Sequence, residues 1–285
     1  MRCDLHVHTI ASGMCNVPIA SRFCRECYSD PLAVYERLKT SRMDLVTVTD
    51  HDSIEAVEPL RRFPDFFLSE EVSIQLPNGT AAHMAVYGIT EPQHIELQRR
   101  RNDLPSLLAY LQEQDLLFGI NHVFSALTGA RTLSDFDWFV QHFPLWETQN
   151  GAMLESANRY ASLIAGELGK GITAGSDAHT MATLGEVCTE VSGACSKSEF
   201  LEGLRRGHGV AHGPSGDARR VMREVFGIVT GLIDENPVAA LALPLLAALP
   251  AVALVNHIKE AVFARYWFQR LRQSRGFCAT PEVAV

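Results

Sequence analysis

The sequence lacks an excess of positive charge. Its 285 residues include 25 Lys or Arg and 33 Asp or Glu, which gives a formal net charge of −8. Such a protein repels polyanions as a whole, and no basic stripe offsets the charge, so we expect no long nucleic acid among its partners. A small anion remains compatible with this balance, since a local metal or Arg site can capture it.

The sequence also lacks the even, regularly spaced cysteines of a disulfide framework. Its seven cysteines are scattered along the chain, which is typical of reduced thiols in a cytosol. Cys24 and Cys27 form a single CxxC, and without a second CxxC or a βαβ context we interpret them as loop thiols with no metal or redox role. Because Met1 and Arg2 lead directly into the first predicted strand, we expect no signal peptide and a cytoplasmic protein.

Hydrophobic residues make up 47% of the chain, enough for one large domain or for a domain of about 200 residues with an appendage. Short apolar runs that end in polar residues, such as 3–8 and 44–52, alternate with amphipathic stretches. One helix is expected to begin at Pro31, with Ser29 or Asp30 as its cap. This alternation predicts an α/β fold with parallel strands, either open or closed into a barrel.

Polar side chains gather where the predicted strands end, which is where sites form in α/β barrels. These residues are His6, His8, Asp50, His51, Glu71, His122, Glu147, Asp177 and His179. His83 begins its strand, but a hairpin return would bring it to the same end as Glu71. His6-x-His8 places two imidazoles on one face of a strand, because side chains alternate with period 2. Imidazole and carboxylate ligands of this kind suit Zn²⁺, Mn²⁺ or Fe ions.

Seven short motifs make this pattern specific. In chain order over about residues 3–210 they are DLHVHT, VTDHD, EEVS, HMAVYGI, NH, WETQNG and AGSDAHT. In order and rough spacing the chain resembles the polymerase-and-histidinol-phosphatase (PHP) family. The resemblance implies a distorted (β/α)7 barrel over residues 1–211 that carries two or three divalent metal ions and hydrolyses phosphoesters.

The resemblance also implies three sets of metal ligands. They are His6, His8, Glu71 and Asp177 for the first ion, Glu71, His83 and His122 for the second, and His51 and His179 for the third. The third set departs from the family pattern HTxxSDG, since Gly13 stands where that pattern has Asp. Cys15, a water or a substrate phosphate remain open as substitutes, and we expect two ions to bind firmly and a third weakly.

This arrangement predicts hydrolysis of a small phosphorylated metabolite or nucleotide. A water that bridges two dications is present as hydroxide near neutral pH and attacks phosphorus in line with the leaving alkoxide. His179 or His51 is the predicted proton donor to the leaving group. Arg131 and Asn150 are the predicted substrate contacts.

Two acids near the predicted ligands have open or indirect roles. Glu147 ends its strand and is expected either to contact a metal or to support a ligand. Asp4 lies on the same side of the first strand as His6 and His8, so we expect it to orient one of these rings.

Two other classes of function remain open. A non-catalytic PHP-like barrel that binds a metal or a partner, or serves as a membrane-attached scaffold, is favoured by Gly13 alone. A metal hydrolase acting on a C–N bond is disfavoured, because no lysine at a strand end stands out as a candidate for carboxylation.

The end of the chain differs in composition from the rest. Residues 212–218, HGPSGDA, are typical of a linker, and residues 219–285 are predicted to form an apolar helical tail. Residues 238–255 carry no charge and precede a basic, aromatic segment, as in a short membrane span or re-entrant hairpin. The tail therefore predicts either contact with the inner face of the membrane through 225–275, or a buried helix pair on the barrel or on a second subunit.

Overall fold

The computed structural model describes residues 1–15 and 20–276. In chain order, the strands of this part are β1 (Arg2–Cys3), β2 (Ser69–Gln75), β3 (Ala81–Tyr87), β4 (Leu117–Ile120), β5 (Leu145–Asn150), β6 (Gly171–Gly175), β7 (Cys188–Val191) and β8 (Gly209–His212). The α-helices are α1 (Pro31–Thr40), α2 (Val57–Leu60), α3 (Glu91–Arg100), α4 (Leu104–Glu113), α5 (Leu133–His142), α6 (Glu155–Glu167), α7 (Lys197–Arg205), α8 (Ala218–Glu235) and α9 (Leu249–Arg275). Helices and strands alternate along most of the chain, which confirms the predicted α/β class.

The strands form two sheets. The larger has the order β2-β3-β4-β5-β6, in which β2, β3 and β4 pair antiparallel and β4, β5 and β6 pair parallel. The smaller has the order β1-β7-β8 and is antiparallel. The sheet is therefore mixed, and the β2–β3 hairpin returns as the sequence predicts, which brings His83 beside Ser73 on the neighbouring strand.

Two irregular segments lie between the edges of the larger sheet. Leu5 N–H donates to the Ala174 carbonyl at 3.4 Å, Thr49 N–H donates to the Val7 carbonyl at 2.8 Å, and Glu71 N–H donates to the Asp50 carbonyl at 3.2 Å. Segments 5–8 and 45–51 thus connect β6 to β2 through backbone hydrogen bonds, but residues 1–15 and 20–276 contain no closed ring of regular strands. The (β/α)7 barrel stays a prediction.

Side chains explain why 3–8 and 44–52 are not the regular strands that their apolar character predicts. Val7 N–H donates to the Thr49 hydroxyl at 3.0 Å, and Thr9 N–H donates to the Asp50 carboxylate at 2.6 Å. Hydroxyl and carboxylate oxygens here accept from backbone groups that a regular ladder would have paired.

Helix α1 begins where the sequence predicts, and α3 has a local cap of its own. Asp30 accepts hydrogen bonds from the backbone N–H groups of Leu32 and Ala33, and Pro31 occupies the first helical position of α1. Thr90 and Gln93 form a capping box at the start of α3.

The main core lies between the larger sheet and helices α3 to α6, and α9 completes it. Phe136, Phe139 and Trp146 are fully buried there. Phe268 of α9 stacks on Tyr160 of α6 with 4.1 Å between ring centroids. Burial of aromatic rings of this size contributes a large share of the hydrophobic stabilisation of the domain.

The uncharged run 238–255 is not one continuous α-helix. A 3₁₀ helix covers Pro237–Ala248, and α9 begins at Leu249. Pro244 and Pro250 explain the break, since proline lacks the N–H that a continuous α-helix requires in its interior. In the described part of the chain no helix is both long enough and apolar enough to cross a membrane. The predicted membrane contact through 225–275 gains no support.

The alternative for the tail, a helix packed on the barrel, agrees with the burial of Ala264, Phe268 and Leu271 in the main core. The predicted linker 212–218 includes the last residue of β8 and the first residue of α8. Residues 277–285 of the predicted tail lie outside the described residues. The boundaries 1–211, 212–218 and 219–285 stay predictions.

Candidate metal centre

His6 and His8 lie at the end of segment 5–8 and point to one side, as their spacing predicts. Their Nε2 atoms are 3.1 Å apart. His6 Nε2 lies 3.1 Å from Glu71 Oε2, and His8 Nε2 lies 3.4 Å from Asp177 Oδ1. All four side chains are buried, so the predicted first set of ligands converges in one place.

The predicted second set also meets at Glu71. Its Oε1 lies 3.4 Å from His83 Nδ1 and 3.3 Å from His122 Nε2, and it accepts a hydrogen bond from the Asn121 amide at 2.8 Å. Glu71 therefore turns one carboxylate oxygen to His83 and His122 and the other to His6 and its neighbours.

The predicted third set lies on the other side of His8. The ring of His8 stacks on His179 at 4.3 Å and on His51 at 4.6 Å between centroids. His51 Nδ1 is buried and makes no hydrogen bond, and it lies 3.3 Å from Glu71 Oε2. The eight predicted metal ligands are thus brought together in a continuous cluster.

Backbone conformation supports a specialised role for two ligands. His122 and Asp177 have φ angles of 30° and 51°, in the left-handed region that residues other than glycine rarely adopt. Strain of this kind is concentrated at functional sites, where the surrounding structure holds it in place.

The cluster contains opposed charges in a buried setting. Burial alone would raise the pKa of the Glu71 carboxyl, but His6, His83 and His51 hold it well below its usual range. Burial alone would lower the pKa of His51, but Glu71 and Glu26 raise it to about 9. Burial lowers the pKa of His8 to about 3, and the positive charge of His179 adds to the effect. In the metal-free protein the protonated rings of His6 and His51 therefore balance the charge of the carboxylates, whereas the ring of His8 is neutral.

This donor set fits divalent metal ions. Candidate ligand atoms form three groups, and within each group the atoms lie within 4.8 Å of one another. The groups are His8, His51 and His179; His6, His8 and Asp177; and His51, Glu71 and His83. The mixture of imidazole nitrogen and carboxylate oxygen suits Zn²⁺, Mn²⁺ and Fe ions. The Nδ1 atom of His51 is buried and makes no hydrogen bond, so its lone pair is available to coordinate a cation.

Glu147 supports the ligands around it. Its Oε1 lies 2.8 Å from His6 Nδ1, and its Oε2 accepts hydrogen bonds from His122 N–H and from the Asn150 amide, both at 2.9 Å. A carboxylate on the second ring nitrogen of a histidine fixes the ring and raises its basicity as a ligand.

Asn150 joins two carboxylates of the site. Its amide nitrogen donates to Glu147 Oε2 and, at 3.1 Å, to Asp177 Oδ2. Asn150 N–H and carbonyl are both bonded to the side chain of Asn158. The predicted substrate contact is therefore buried, with its amide N–H groups committed to positioning Glu147 and Asp177.

Arg131 has the contacts of a structural residue. It is 7% exposed, its guanidinium donates to the Ala81 carbonyl and the Thr128 hydroxyl, and it lies over the ring of Phe139. These partners hold a loop against the start of β3, and the predicted role in substrate binding gains no support.

Two aspartates contact the backbone and hydroxyls rather than the histidine rings. Asp4 accepts from Ser176 N–H at 2.7 Å and from Gly185 N–H at 3.1 Å, so it anchors the loop after β6 and does not orient an imidazole. Asp50 accepts from the hydroxyl of Ser12 at 2.7 Å, and that hydroxyl lies 3.0 Å from His8 Nδ1. Asp50 therefore positions His8 through Ser12, a role that the sequence did not indicate.

Helix α8 also contributes to the site. Glu224 accepts a hydrogen bond from His179 N–H at 3.1 Å, and Arg220 donates to the carbonyls of Ser176 and Thr183 at 2.9 and 3.3 Å. Sequence reasoning missed both residues, because they lie in a segment that its composition separates from the barrel.

The cysteines take no part in the candidate ligand groups of the described residues. Cys27 is buried, its thiol donates to the His8 carbonyl at 3.3 Å, and burial raises its pKa to about 12. The interpretation of Cys24 and Cys27 as loop thiols stays a prediction.

Comparison with known proteins gives one family match and several structural likenesses. The family described as PHP-associated matches residues 155–208. No curated protein matches the chain in sequence. PsfC from Pseudomonas syringae PB-5123 superposes with a TM-score of 0.55 at 19% identity, covering 80% of this chain and 98% of PsfC.

Two further solved structures share the fold. A two-domain protein from Bacteroides vulgatus ATCC 8482, containing a predicted PHP-like metal-dependent phosphoesterase, superposes with a TM-score of 0.54 at 14% identity, covering 75% of this chain and 64% of that one. The lesion-specific endonuclease PfuEndoQ from Pyrococcus furiosus superposes with a TM-score of 0.50 at 17% identity, covering 72% of this chain and 56% of that one. The sequence match to the PHP-associated family is thus confined to residues 155–208, and the likeness to these solved structures is one of fold. The α/β fold with a mixed sheet is similar to that of the structure containing a PHP-like domain.

Proposed function

We propose that this chain is a PHP-family protein that hydrolyses phosphoesters of a small metabolite or nucleotide with two or three divalent metal ions. The observation that carries the proposal is the position of Glu71. Its Oε1 faces His83 and His122, and its Oε2 faces His6 and His51. A carboxylate with a different set of imidazoles at each oxygen is suited to bridge two ions.

The ligand sets are proposed by position. His6, His8, Glu71 and Asp177 would hold one ion, Glu71, His83 and His122 a second, and His51 and His179 would contribute to a third. When bound, such ions lower the pKa of water and withdraw charge from phosphoryl oxygens. Glu147 and Asn150 then keep His6 and Asp177 in place, because their hydrogen bonds already join these side chains.

His179 or His51 is the proposed proton donor to the leaving oxygen in the form of the protein whose third site holds no ion, because an imidazole bound to metal through Nε2 has no proton there to give. Their side chains are 11% and 21% exposed, against 2% or less for His6 and His8, so they lie nearer to solvent than the first pair of ligands. His179 Nδ1 lies 3.1 Å from the Asp177 carbonyl, which fixes the ring with Nε2 directed away from that backbone. A His179→Ala protein that keeps its metals and turns over at a near-normal rate would remove His179 from this role.

A panel of phosphomonoesters, phosphodiesters and cyclic phosphates, assayed with Mn²⁺ and with Zn²⁺, tests the function. We expect hydrolysis of at least one class by the metal-loaded protein and none by Glu71→Gln prepared in parallel, which controls for contaminating phosphatases. The proposal fails if no ester is hydrolysed, or if the Glu71→Gln preparation is equally active.

A non-catalytic metal-binding PHP protein is the second candidate, and Gly13 is the feature that favours it. The same panel separates the two, since that protein would bind its ions tightly and hydrolyse none of the esters. No residue of the cluster favours hydrolysis of a C–N bond over a phosphoester.

A further inference from the structure

The cluster includes a carboxylate that the PHP motifs do not contain. Glu26 Oε1 lies 3.5 Å from His51 Nε2 and 3.7 Å from His179 Nε2. Both rings stack on the ring of His8, at 4.6 Å for His51 and 4.3 Å for His179 between centroids. Among the described residues, the ion-pair partners of the Glu26 carboxylate are these two imidazoles.

The backbone holds Glu26 in this position. Met14 and Arg25 form an antiparallel bridge, Cys15 N–H donates to the Cys24 carbonyl at 3.0 Å, and Glu26 N–H donates to the Gly13 carbonyl at 3.0 Å. Glu26 is therefore tied to Gly13, which stands where the HTxxSDG pattern has Asp.

Gly13 has a conformation that disfavours an acid at its own position. Its φ of 80° and ψ of −144° lie in a region that is accessible to glycine and strained for residues with a Cβ. An aspartate at position 13 would strain this turn, whereas Glu26 brings a carboxylate to His51 and His179 from the neighbouring backbone.

The loop that carries Glu26 is also fixed from outside. Arg25 N–H donates to the Tyr28 hydroxyl at 3.0 Å, and Arg25 Nε pairs with Glu235 of α8 at 2.8 Å. The carboxylate is 20% exposed, which leaves a path from solvent to the group formed by Glu26, His51 and His179.

We propose that Glu26 is a metal ligand that completes the third site with His51 and His179. The inference rests on the proposed metal centre and replaces the expectation of a weak third site that lacks a protein carboxylate. Two imidazoles and one carboxylate with a side open to solvent form the donor set of a catalytic divalent site with a free coordination position.

Equilibrium dialysis against Mn²⁺ or Zn²⁺, followed by elemental analysis, tests this ligand without an activity readout. We expect the full chain to bind three ions, and Glu26→Gln and Glu26→Ala to bind two at the same free concentration. Affinity for the third ion should fall at least about tenfold, since even a residue that only supports a ligand has an effect of this size. Glu36→Gln, an exposed glutamate of α1, is the matched control and should bind three.

The outcomes separate this inference from the function on which it rests. If the full chain binds three ions and both Glu26 variants bind them with unchanged affinity, or if the full chain binds only two, Glu26 is not a ligand while the proposed hydrolase stands. If the full chain binds none after reconstitution, the metal centre and this inference are both wrong. Circular dichroism of each variant excludes unfolding as the cause of a lost ion.

Discussion

At the scale of single residues, the spacing of the motifs predicted most of the cluster. Side chains two apart in an extended segment share a face, so His6 and His8 were expected to converge, and they do. Glu26 and Asn150 were not predicted as parts of the cluster in their present roles. Their contacts depend on a loop bridge and on an amide between two carboxylates, which no periodicity encodes.

Replacing Glu147 by Gln should weaken metal binding without removing a ligand. The change removes the negative charge beside His6 Nδ1 and disturbs the acceptor for His122 N–H and the Asn150 amide. We expect a loss of about 10- to 100-fold in metal affinity, measured by competition with a chelator. Glu202→Gln, which removes a charge from the exposed ion pairs of α7, should leave the affinity unchanged. Equal affinities for both variants and the original chain would contradict the role of Glu147.

The pKa of His51 predicts how pH affects the metal-free and metal-loaded protein. The folded, metal-free protein raises this pKa from 6.5 to about 9, so protonated His51 stabilises the fold below pH 6.5 and that stabilisation is lost as pH rises through 9. In the metal-loaded protein a metal ion takes the place of the His51 proton, so its stability does not fall for this reason as the pH rises through 9. The difference in Tm between the two forms should widen from pH 6.5 to 9. A constant or narrowing difference in matched thermal melts would contradict the assignment of His51 as a ligand.

At the scale of secondary structure elements, helix α1 began at its predicted cap, whereas the strands predicted near the site did not form as regular strands. Asp30 with Pro31 and Thr90 with Gln93 are local signals that need no tertiary information. The segments 5–8 and 45–51 are irregular because Thr49 and Asp50 bond to backbone groups of a distant segment. Such contacts depend on the folded arrangement and cannot be predicted from a sequence window.

Helix α8 is predicted to stabilise the loop that carries Asp177 and His179. Arg220 is buried, donates to the carbonyls of Ser176 and Thr183, and pairs with Glu186. Arg220→Ala leaves these acceptors unpaired and should lower the free energy of unfolding by about 2–3 kcal/mol.

Urea denaturation measures this loss, and the Arg219→Ala variant is the control, since Arg219 is the exposed neighbour on the same helix. Arg220→Ala should also bind metal more weakly than Arg219→Ala, because the ligand loop is less well held. Identical stability of the two variants would show that α8 does not support the loop.

At the scale of the whole molecule, composition separated residues 219–285 from the rest of the chain, whereas the packing of α9 joins part of this tail to the main core. An uncharged run and a basic, aromatic segment are compatible with a membrane, a partner or a domain core, and composition alone does not distinguish these. The contacts of α9 distinguish them for part of the tail and favour a domain core, since Ala264, Phe268 and Leu271 lie in the same core as Trp146.

Phe268→Ala should therefore destabilise the entire domain. The ring stacks on Tyr160 and meets Phe124 edge-on, so its removal leaves a cavity at the centre of the α6–α9 contact. We expect a loss of about 3 kcal/mol in the free energy of unfolding, measured by urea denaturation in a single cooperative transition. Tyr266→Ala, at a position that is 50% exposed, should change the stability by less than about 0.5 kcal/mol. Separate transitions for tail and barrel would contradict a shared core.

The central claim is that the imidazoles and carboxylates around Glu71 form a polynuclear metal centre. Anomalous diffraction from crystals grown with Mn²⁺ or Zn²⁺ measures this most directly, since it locates each ion. The account predicts one ion on each side of the Glu71 carboxylate, at about 2.0–2.2 Å from its oxygens, and a third among Glu26, His51 and His179. A map without ions at Glu71, in which these side chains bond only to one another, would contradict it.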